Sequence, residues 1–435
     1  MKSTYINTGI LAIAALAFSS CKPSIDSAAP SKGTADFSRY ISVGNSLTSG
    51  FANGGLSREG QMNSFPTLIA EQMKAVGGGN FTNPLFTEAQ ANGSGYLKLT
   101  GFSATGTPVI VQETSNLAYR TPVGGVTLYT KYTGDINNYG VPGIKLQHIT
   151  IPTYGNLNGY FERLLPTDAP NNNSTTYLSF VTAKPFTFFS MWLGNNDILG
   201  YATAGGVAAS PTDLPTDKAV FGQLYNAAVN AMTANGAKGV VATIPDVTTT
   251  AYFRTVTLAS LLKAVQASPG GSAVTSLVIR TGANVVRAAT AEDLFTLPFL
   301  SAGKLGVPDA VKGPYGLSPA NPIESQYVLD KDEVAMVNDY VVSYNTIIKN
   351  AANAKGLAIM DAYTVLKEYG AGKQYNGINI SNAFISGNLF SLDGIHLTPV
   401  GYAITANLFI DAINSKYGST ISHVDVRKYG GVKLP

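Results

Sequence analysis

The stretch RYISVGNSLTSGF, Arg39 to Phe51, carries an apolar run from Tyr40 to Val43 that stops on Gly44-Asn45-Ser46. Such a run is the pattern of a short buried strand handing the chain to a turn. Gly-Asn-Ser is ordinary turn chemistry, and Ser46 in that place is either a turn residue or a nucleophile. A serine hydroxyl attacks a carbonyl competently only when a base takes its proton, and the base works best when a third group fixes its tautomer. Near the C-terminus, SLDGIHLTPVGY sets Asp393 three residues before His396. That spacing lets the carboxylate accept a hydrogen bond from one imidazole nitrogen and leaves the other free to face a hydroxyl. Taken alone, Asp393 and His396 are also ordinary loop residues.

An ester carbonyl under attack gathers negative charge, which fixed N–H donors stabilise. Two stretches offer such donors. NNYGVPGIKL places Gly143 at a tight turn, and WLGNNDIL places Asn196 directly after an apolar run. Gly143 after Pro142 also serves as a plain turn glycine, and Asn196-Asp197 as a helix cap. Asp197 is expected to brace the loop that carries Asn196, and Trp192 to pack in the sheet. His148 has no acidic partner at a telling spacing and is expected to be packed or on the surface, while His423 lies in the C-terminal tail with no functional case.

These residues need a scaffold, and the pattern supplies one. Helical spacing is expected over Ser64–Val76, with Pro66 in the first turn, then over about Lys218–Asn235, Leu258–Ala267 and Lys331–Ala354. A closing helix starts at Thr398 and Pro399 and ends near Gly418. Between them lie the apolar runs PFTFFSMWL (Pro185–Leu193), GVVATI (Gly239–Ile244) and GLAIMD (Gly356–Asp361), which read as buried strands of the parallel kind. The alternation argues for an α/β layer fold with a mainly parallel sheet. Two regions break the rhythm, about 52–135, with strands expected at Thr107–Glu113 and Val126–Tyr132, and about 201–320. Both are expected to be insertions at the loop end of the sheet, where substrates bind.

The four stretches stand in one order, and that order resembles the SGNH hydrolases, the GDSL-type lipases and esterases. Gly44-Asn45-Ser46-Leu47 is similar to the family's opening block, Asn138 to Gly143 to its second, Gly194-Asn195-Asn196-Asp197 to its third, and Asp393 to His396 to its last. The resemblance implies a flavodoxin-like three-layer α/β/α sandwich. It also implies roles: Ser46 as nucleophile and backbone oxyanion donor, Gly143 as a second backbone donor, Asn196 as the side-chain donor, His396 as base and Asp393 as its orienter. No cofactor or metal is called for. One departure stands out, since Asn45 occupies the place of the usual Asp, which bears on local loop hydrogen bonding rather than on the reacting groups. An α/β-hydrolase elbow, GxSxG, would need glycine where Thr48 stands.

The N-terminus MKSTYINTGILAIAALAFSSCKPS has a basic start, an apolar stretch from Ile10 to Phe18 and small residues before Cys21. Residues 1–20 are expected to be a lipoprotein signal peptide and Cys21 a lipidated first mature residue, with a flexible tether over 21–37 and the folded domain over 38–435. This implies an exported cell-envelope lipoprotein, membrane-bound through Cys21. Only 13% of the 435 residues are charged, and 29 basic against 26 acidic residues form no basic block, so a nucleic-acid partner is not expected. Three histidines and one cysteine are too few for a zinc cluster. The expected activity is cleavage of carboxylic esters, of lipid, small acyl ester or acylated glycan. Two rivals use the same sequence: a non-catalytic glycan- or lipid-binding surface lipoprotein, and an acyltransferase with identical residues.

Overall fold

The computed structural model describes residues 29–104, 106–166 and 172–435. Chain contacts separate Met1–Pro30 from Ser31–Pro435, and the second unit carries the fold. Cys21 and the expected leader lie outside the described residues.

The central sheet is built from β1 (Tyr40–Gly44), β2 (Asn138–Gly140), β3 (Phe188–Trp192), β4 (Lys238–Ala242) and β5 (Ala358–Met360), all pairs parallel. Side chains alternate between the faces of a strand, and here both faces are apolar. Ile41 and Val43 of β1, with Phe189 and Met191 of β3, enter one core cluster; Tyr40, Phe188 and Trp192 enter the other. Burial on both sides is what a parallel sheet needs. The spatial order is β5-β4-β3-β1-β2. This is the flavodoxin-like arrangement, in which the order reverses between β1 and β3 and a crevice forms outside the carboxyl ends of those strands.

The helices that frame the sheet and the site are, in chain order, α1 (Ser46–Ser49), α2 (Phe65–Met73), α3 (Asn196–Thr203), α4 (Lys218–Thr233), α5 (Lys331–Ala354), α6 (Ala362–Ala371) and α7 (Pro399–Tyr417). On one face α4 presents Phe221, Tyr225 and Val229, and α5 presents Val337, Val341, Tyr344 and Ile348, each a helical stripe. On the other face α2 and α7 pack together, Phe65 stacking on Phe409 with ring centres 4.6 Å apart. The sheet between two helical layers is the three-layer α/β/α sandwich. Helix α5 starts where it does because Asp330 accepts the N–H groups of Asp332 and Glu333 while the Glu333 carboxylate takes the Asp330 N–H at 2.8 Å, a capping box. Helix α7 begins with the Thr398 cap and Pro399 and ends at Gly418, φ +66°.

Three boundaries differ from expectation. The tether does not reach residue 37: Ala35 and Phe37 are buried, the Thr34 N–H donates to Tyr417 O at 2.9 Å, and the Phe37 ring meets Phe188 edge-on at 4.9 Å. The span 52–135 includes the core helix α2, and the span 201–320 includes the core elements α4 and β4, so both insertions are narrower than their pattern suggested. Within the first, two antiparallel hairpins form, Tyr96–Phe102 with Pro108–Glu113 and Tyr119–Val123 with Val126–Tyr129. Within the second, a helix at Leu258–Gln266 and a hairpin of Val278–Arg280 with Val286–Ala288 surround their own apolar cluster at Leu277, Ile279, Phe295 and Val328.

Candidate active site

Ser46 stands at the carboxyl end of β1, at the switch point of the sheet, as the first residue of α1. The turn into α1 is tight. A Cβ on Gly44 would lie 2.1 Å from Thr48 Oγ1 and 2.7 Å from Trp192 O, so only glycine fits. Asn45 caps the helix, its side-chain oxygen accepting the Leu47 N–H at 3.0 Å, a task the amide performs as a carboxylate would. Opening α1, Ser46 retains an N–H with no intrahelical partner.

The last block comes to meet it. His396 Nε2 lies 2.8 Å from Ser46 Oγ, and His396 Nδ1 lies 3.0 Å from Asp393 Oδ2. Asp393 is held by backbone donors: its Oδ1 accepts from the N–H groups of Ile395 at 2.9 Å and His396 at 2.8 Å, and its Oδ2 from Gly54 at 2.6 Å. Burial pushes the Asp393 carboxyl up, but the charge and hydrogen bond of the His396 ring, with the Ile395 and His396 N–H groups, outweigh it and hold it at about 2. The carboxylate therefore stays ionised and fixes His396 with Nδ1 protonated and Nε2 facing the hydroxyl.

The donors lie alongside. Val141 to Ile144 form a turn closed by the Ile144 N–H on Val141 O at 3.2 Å, with Pro142 second and Gly143 third at φ +81°. These are the preferences of a type II turn. The turn is tied to the end of β1 by the Val141 N–H on Gly44 O at 3.0 Å, and among the described residues no acceptor pairs with the Gly143 N–H. The buried Tyr177 hydroxyl clamps the same corner, accepting from the Gly44 N–H at 3.1 Å and donating to Tyr139 O at 2.7 Å. Asn196 opens α3 and borders one pocket with Ser46 and His396. One of its two amide hydrogens goes to Ile144 O at 2.9 Å, leaving the second for a ligand.

Asp197 braces this corner from below. Fully buried, it accepts from the Leu146 N–H at 2.7 Å and Thr216 Oγ1 at 2.7 Å, joining the glycine turn to α3. Burial raises its carboxyl to about 6 against those hydrogen bonds. Trp192 is buried in the sheet, its indole N–H on Thr243 O at 3.0 Å. His148 lies outside the cluster, stacked on Tyr154 at 4.4 Å, and burial pushes its ring down to about 4. His423 lies on the surface beside Asp411 at 2.6 Å.

The structure thus brings Ser46, Asn196, Asp393 and His396 together and sets Gly143 in the adjoining turn. Sequence reasoning gave Phe51 no role beyond its place at the end of the opening stretch, and it did not single out Asn53 or Gly54. The Phe51 ring lies 4.6 Å from the His396 ring, and its carbonyl is held by the Tyr402 hydroxyl at 2.6 Å. Asn53 donates its N–H to Ser391 Oγ at 2.8 Å and accepts the Leu392 N–H at 3.0 Å. Asn53-Gly54-Gly55 is a turn signal, but nothing in it points to a partner more than 300 residues away. Chemically, the assembly can deprotonate a serine and stabilise an oxyanion next to it.

No protein-family model matches the chain, and no curated protein matches it. Solved structures similar to it include an α/β hydrolase enzyme from the metagenome of Lake Arreo, Spain, at 11% identity and a TM-score of 0.37, covering 87% of this chain and 96% of that one. A lipase/acylhydrolase from Enterococcus faecalis is similar at 11% identity and a TM-score of 0.34, covering 89% and 100%. An extracellular lipase from Streptomyces rimosus is similar at 14% identity and a TM-score of 0.32, covering 86% and 98%. The geometry described above stands independently of these remote likenesses.

Proposed function

We propose that this chain, which carries the ordered motif blocks of the SGNH hydrolases on a flavodoxin-like sandwich, is a serine esterase that cleaves carboxylic esters through an acyl-enzyme on Ser46. The observation that carries the proposal is the unbroken relay from Ser46 Oγ through His396 to Asp393, at 2.8 and 3.0 Å. His396 Nε2 takes the Ser46 proton as Oγ attacks the ester carbonyl, and the carbonyl electrons move onto oxygen. That oxyanion rests on the Ser46 N–H, the Gly143 N–H and the free amide hydrogen of Asn196. Collapse expels the alcohol, which leaves with the proton from His396. Water then enters, gives a proton to His396 as its oxygen bonds the acyl carbon, and collapse of the second oxyanion breaks the bond to Ser46 Oγ, which takes the proton back from His396 as the acid leaves. Asp393 remains charged and stabilises the imidazolium in both steps.

Export and anchoring through a lipidated Cys21 belong to the same proposal and rest on the leader-like sequence alone. The test is covalent labelling with a fluorophosphonate probe beside turnover of a chromogenic ester. The wild-type protein is labelled and active; Ser46→Ala is neither, while its circular dichroism is unchanged. Labelling at another residue, or undiminished turnover by Ser46→Ala, removes the assignment.

A further inference from the structure

On the hydrolase reading above, we infer that the acyl half of the substrate is a short alkyl chain of no more than about four carbons, held in a small apolar pocket beside Ser46. A cavity of about 50 Å³ opens between Asn196 and His396. Its walls include Leu47, Trp192, Leu199, Val247, Leu366 and Phe390, and among its further polar residues Asp246 is engaged with Thr248 and Lys367, Thr249 with Asp246 O and Thr250 with Val247 O. A water-sized group needs roughly 10–15 Å³ on this measure, so the space takes about four methylene-sized atoms.

The walls do not yield readily. Trp192 is fully buried, fixed by its bond to Thr243 O at 3.0 Å, and wedged between Phe65 and Phe409 at 5.7 and 5.8 Å. Leu366 and Phe390 are 6% and 8% exposed, packed into the same core. Forcing a longer chain against such a wall means displacing close-packed core, which is costly.

Chemistry decides which half of the ester enters. Deacylation needs water at the place the alcohol has just left, so the alcohol side must open to solvent, and the small apolar pocket falls to the acyl group. Glycerol or sugar alcohols would strand hydroxyls against largely apolar walls whose polar groups are mostly engaged, and an aryl ring brings six carbons to a space for about four. An alkyl acyl chain has neither problem.

The experiment uses p-nitrophenyl acetate, butyrate, hexanoate and octanoate with the full chain, and a parallel series of acetates whose alcohol grows from ethyl to octyl. Expected is a kcat/KM that holds from acetate to butyrate and then falls about tenfold or more with each further pair of carbons, with little dependence on the alcohol. Leu366→Ala moves the break towards hexanoate. Leu199→Trp, a substitution at a partly exposed position of α3, brings the break down below butyrate, and it keeps the test decisive if Leu366→Ala does not fold. Equal rates on octanoate and acetate, or a cutoff that follows the alcohol, overturn the inference and leave the hydrolase reading standing. No turnover of any ester together with no fluorophosphonate labelling of Ser46 removes both.

Discussion

The backbone N–H of Gly54 donates to Asp393 Oδ2 at 2.6 Å across 339 residues of chain. The same oxygen receives His396 Nδ1 at 3.0 Å, so the loop that leaves the Ser46 helix also holds the carboxylate that orients the base. Asn53 completes the clamp with its bonds to Ser391 and Leu392, from a left-handed conformation at φ +54°. Distance between Ser46 and His396 is thereby set by direct contact between their two loops as well as by the sheet.

Asn53→Gly tests the clamp, because glycine keeps the left-handed backbone and deletes only the amide. The lost bond to Leu392 is worth ~1.4 kcal/mol, and if all of it serves to orient Asp393, kcat falls about tenfold with KM unchanged. A rise in KM alone would make Asn53 a substrate contact instead.

Asp393→Asn is expected to be far more damaging, about 10³–10⁴ in kcat, since an amide offers His396 the wrong tautomer and no charge. Because the Asp393 carboxyl sits at about 2, it adds no proton of its own to the pH–rate profile above pH 4. The acid limb of log kcat/KM therefore has a slope of one, and a slope of two in a stopped-assay titration would contradict the ionised carboxylate.

Much of this was legible beforehand for local reasons. Helix α5 lies where its helical pattern placed it, over about Lys331–Ala354, with Asp330 and Glu333 forming the capping box in the structure, and α7 was readable because Thr398, Pro399 and Gly418 mark both ends. The blocks containing Ser46, Asn196 and Asp393/His396 were legible because each sits at the end of an apolar run or beside a cap. Strand β2 was not, since Asn138-Tyr139-Gly140 has no strand pattern of its own and becomes a strand only by pairing with Ser42, Val43 and Gly44. The Gly54–Asp393 contact was invisible for the same reason in stronger form: it is a product of tertiary closure, and neither residue type announces the other.

Stability should depend on pH through three groups outside the reacting set, two buried and one half-buried. Asp197 titrates at about 6 instead of 3.8, and Glu333 at about 7 instead of 4.5, both raised chiefly by burial. Between pH 4 and 7 the native state holds protons the unfolded chain has released, so these two make unfolding free energy fall as pH rises. His148 works oppositely. Burial lowers it from 6.5 to about 4, so the unfolded chain binds its proton first and stability rises with pH over that window. Thermal melts at pH 5 and pH 8 separate them: relative to wild type, Asp197→Asn shifts the pH 8 minus pH 5 difference in Tm upward, and His148→Gln shifts it downward. Shifts of the reverse sign would mean the groups are not protonated as described.

Asn196 offers the sharpest test of the proposed oxyanion site, because one substitution that truncates it and one that keeps its shape separate donation from packing. Its amide already gives one hydrogen to Ile144 O at 2.9 Å and has one left for the oxyanion proposed above. Asn196→Ala removes both donors, and kcat should fall by roughly 10²–10³ with KM little changed, the signature of a contact made in the transition state alone. Asn196→Asp restores the shape but puts a carboxylate where negative charge must gather, so it should be slower than alanine, with part of the loss recovered at a pH low enough to protonate it. If Asn196→Asp instead outperforms Asn196→Ala near neutral pH, the side chain matters for filling its place beside the turn and not for donating, since a carboxylate donates neither to Ile144 O nor to an oxyanion, and the oxyanion is carried by the backbone N–H groups of Ser46 and Gly143.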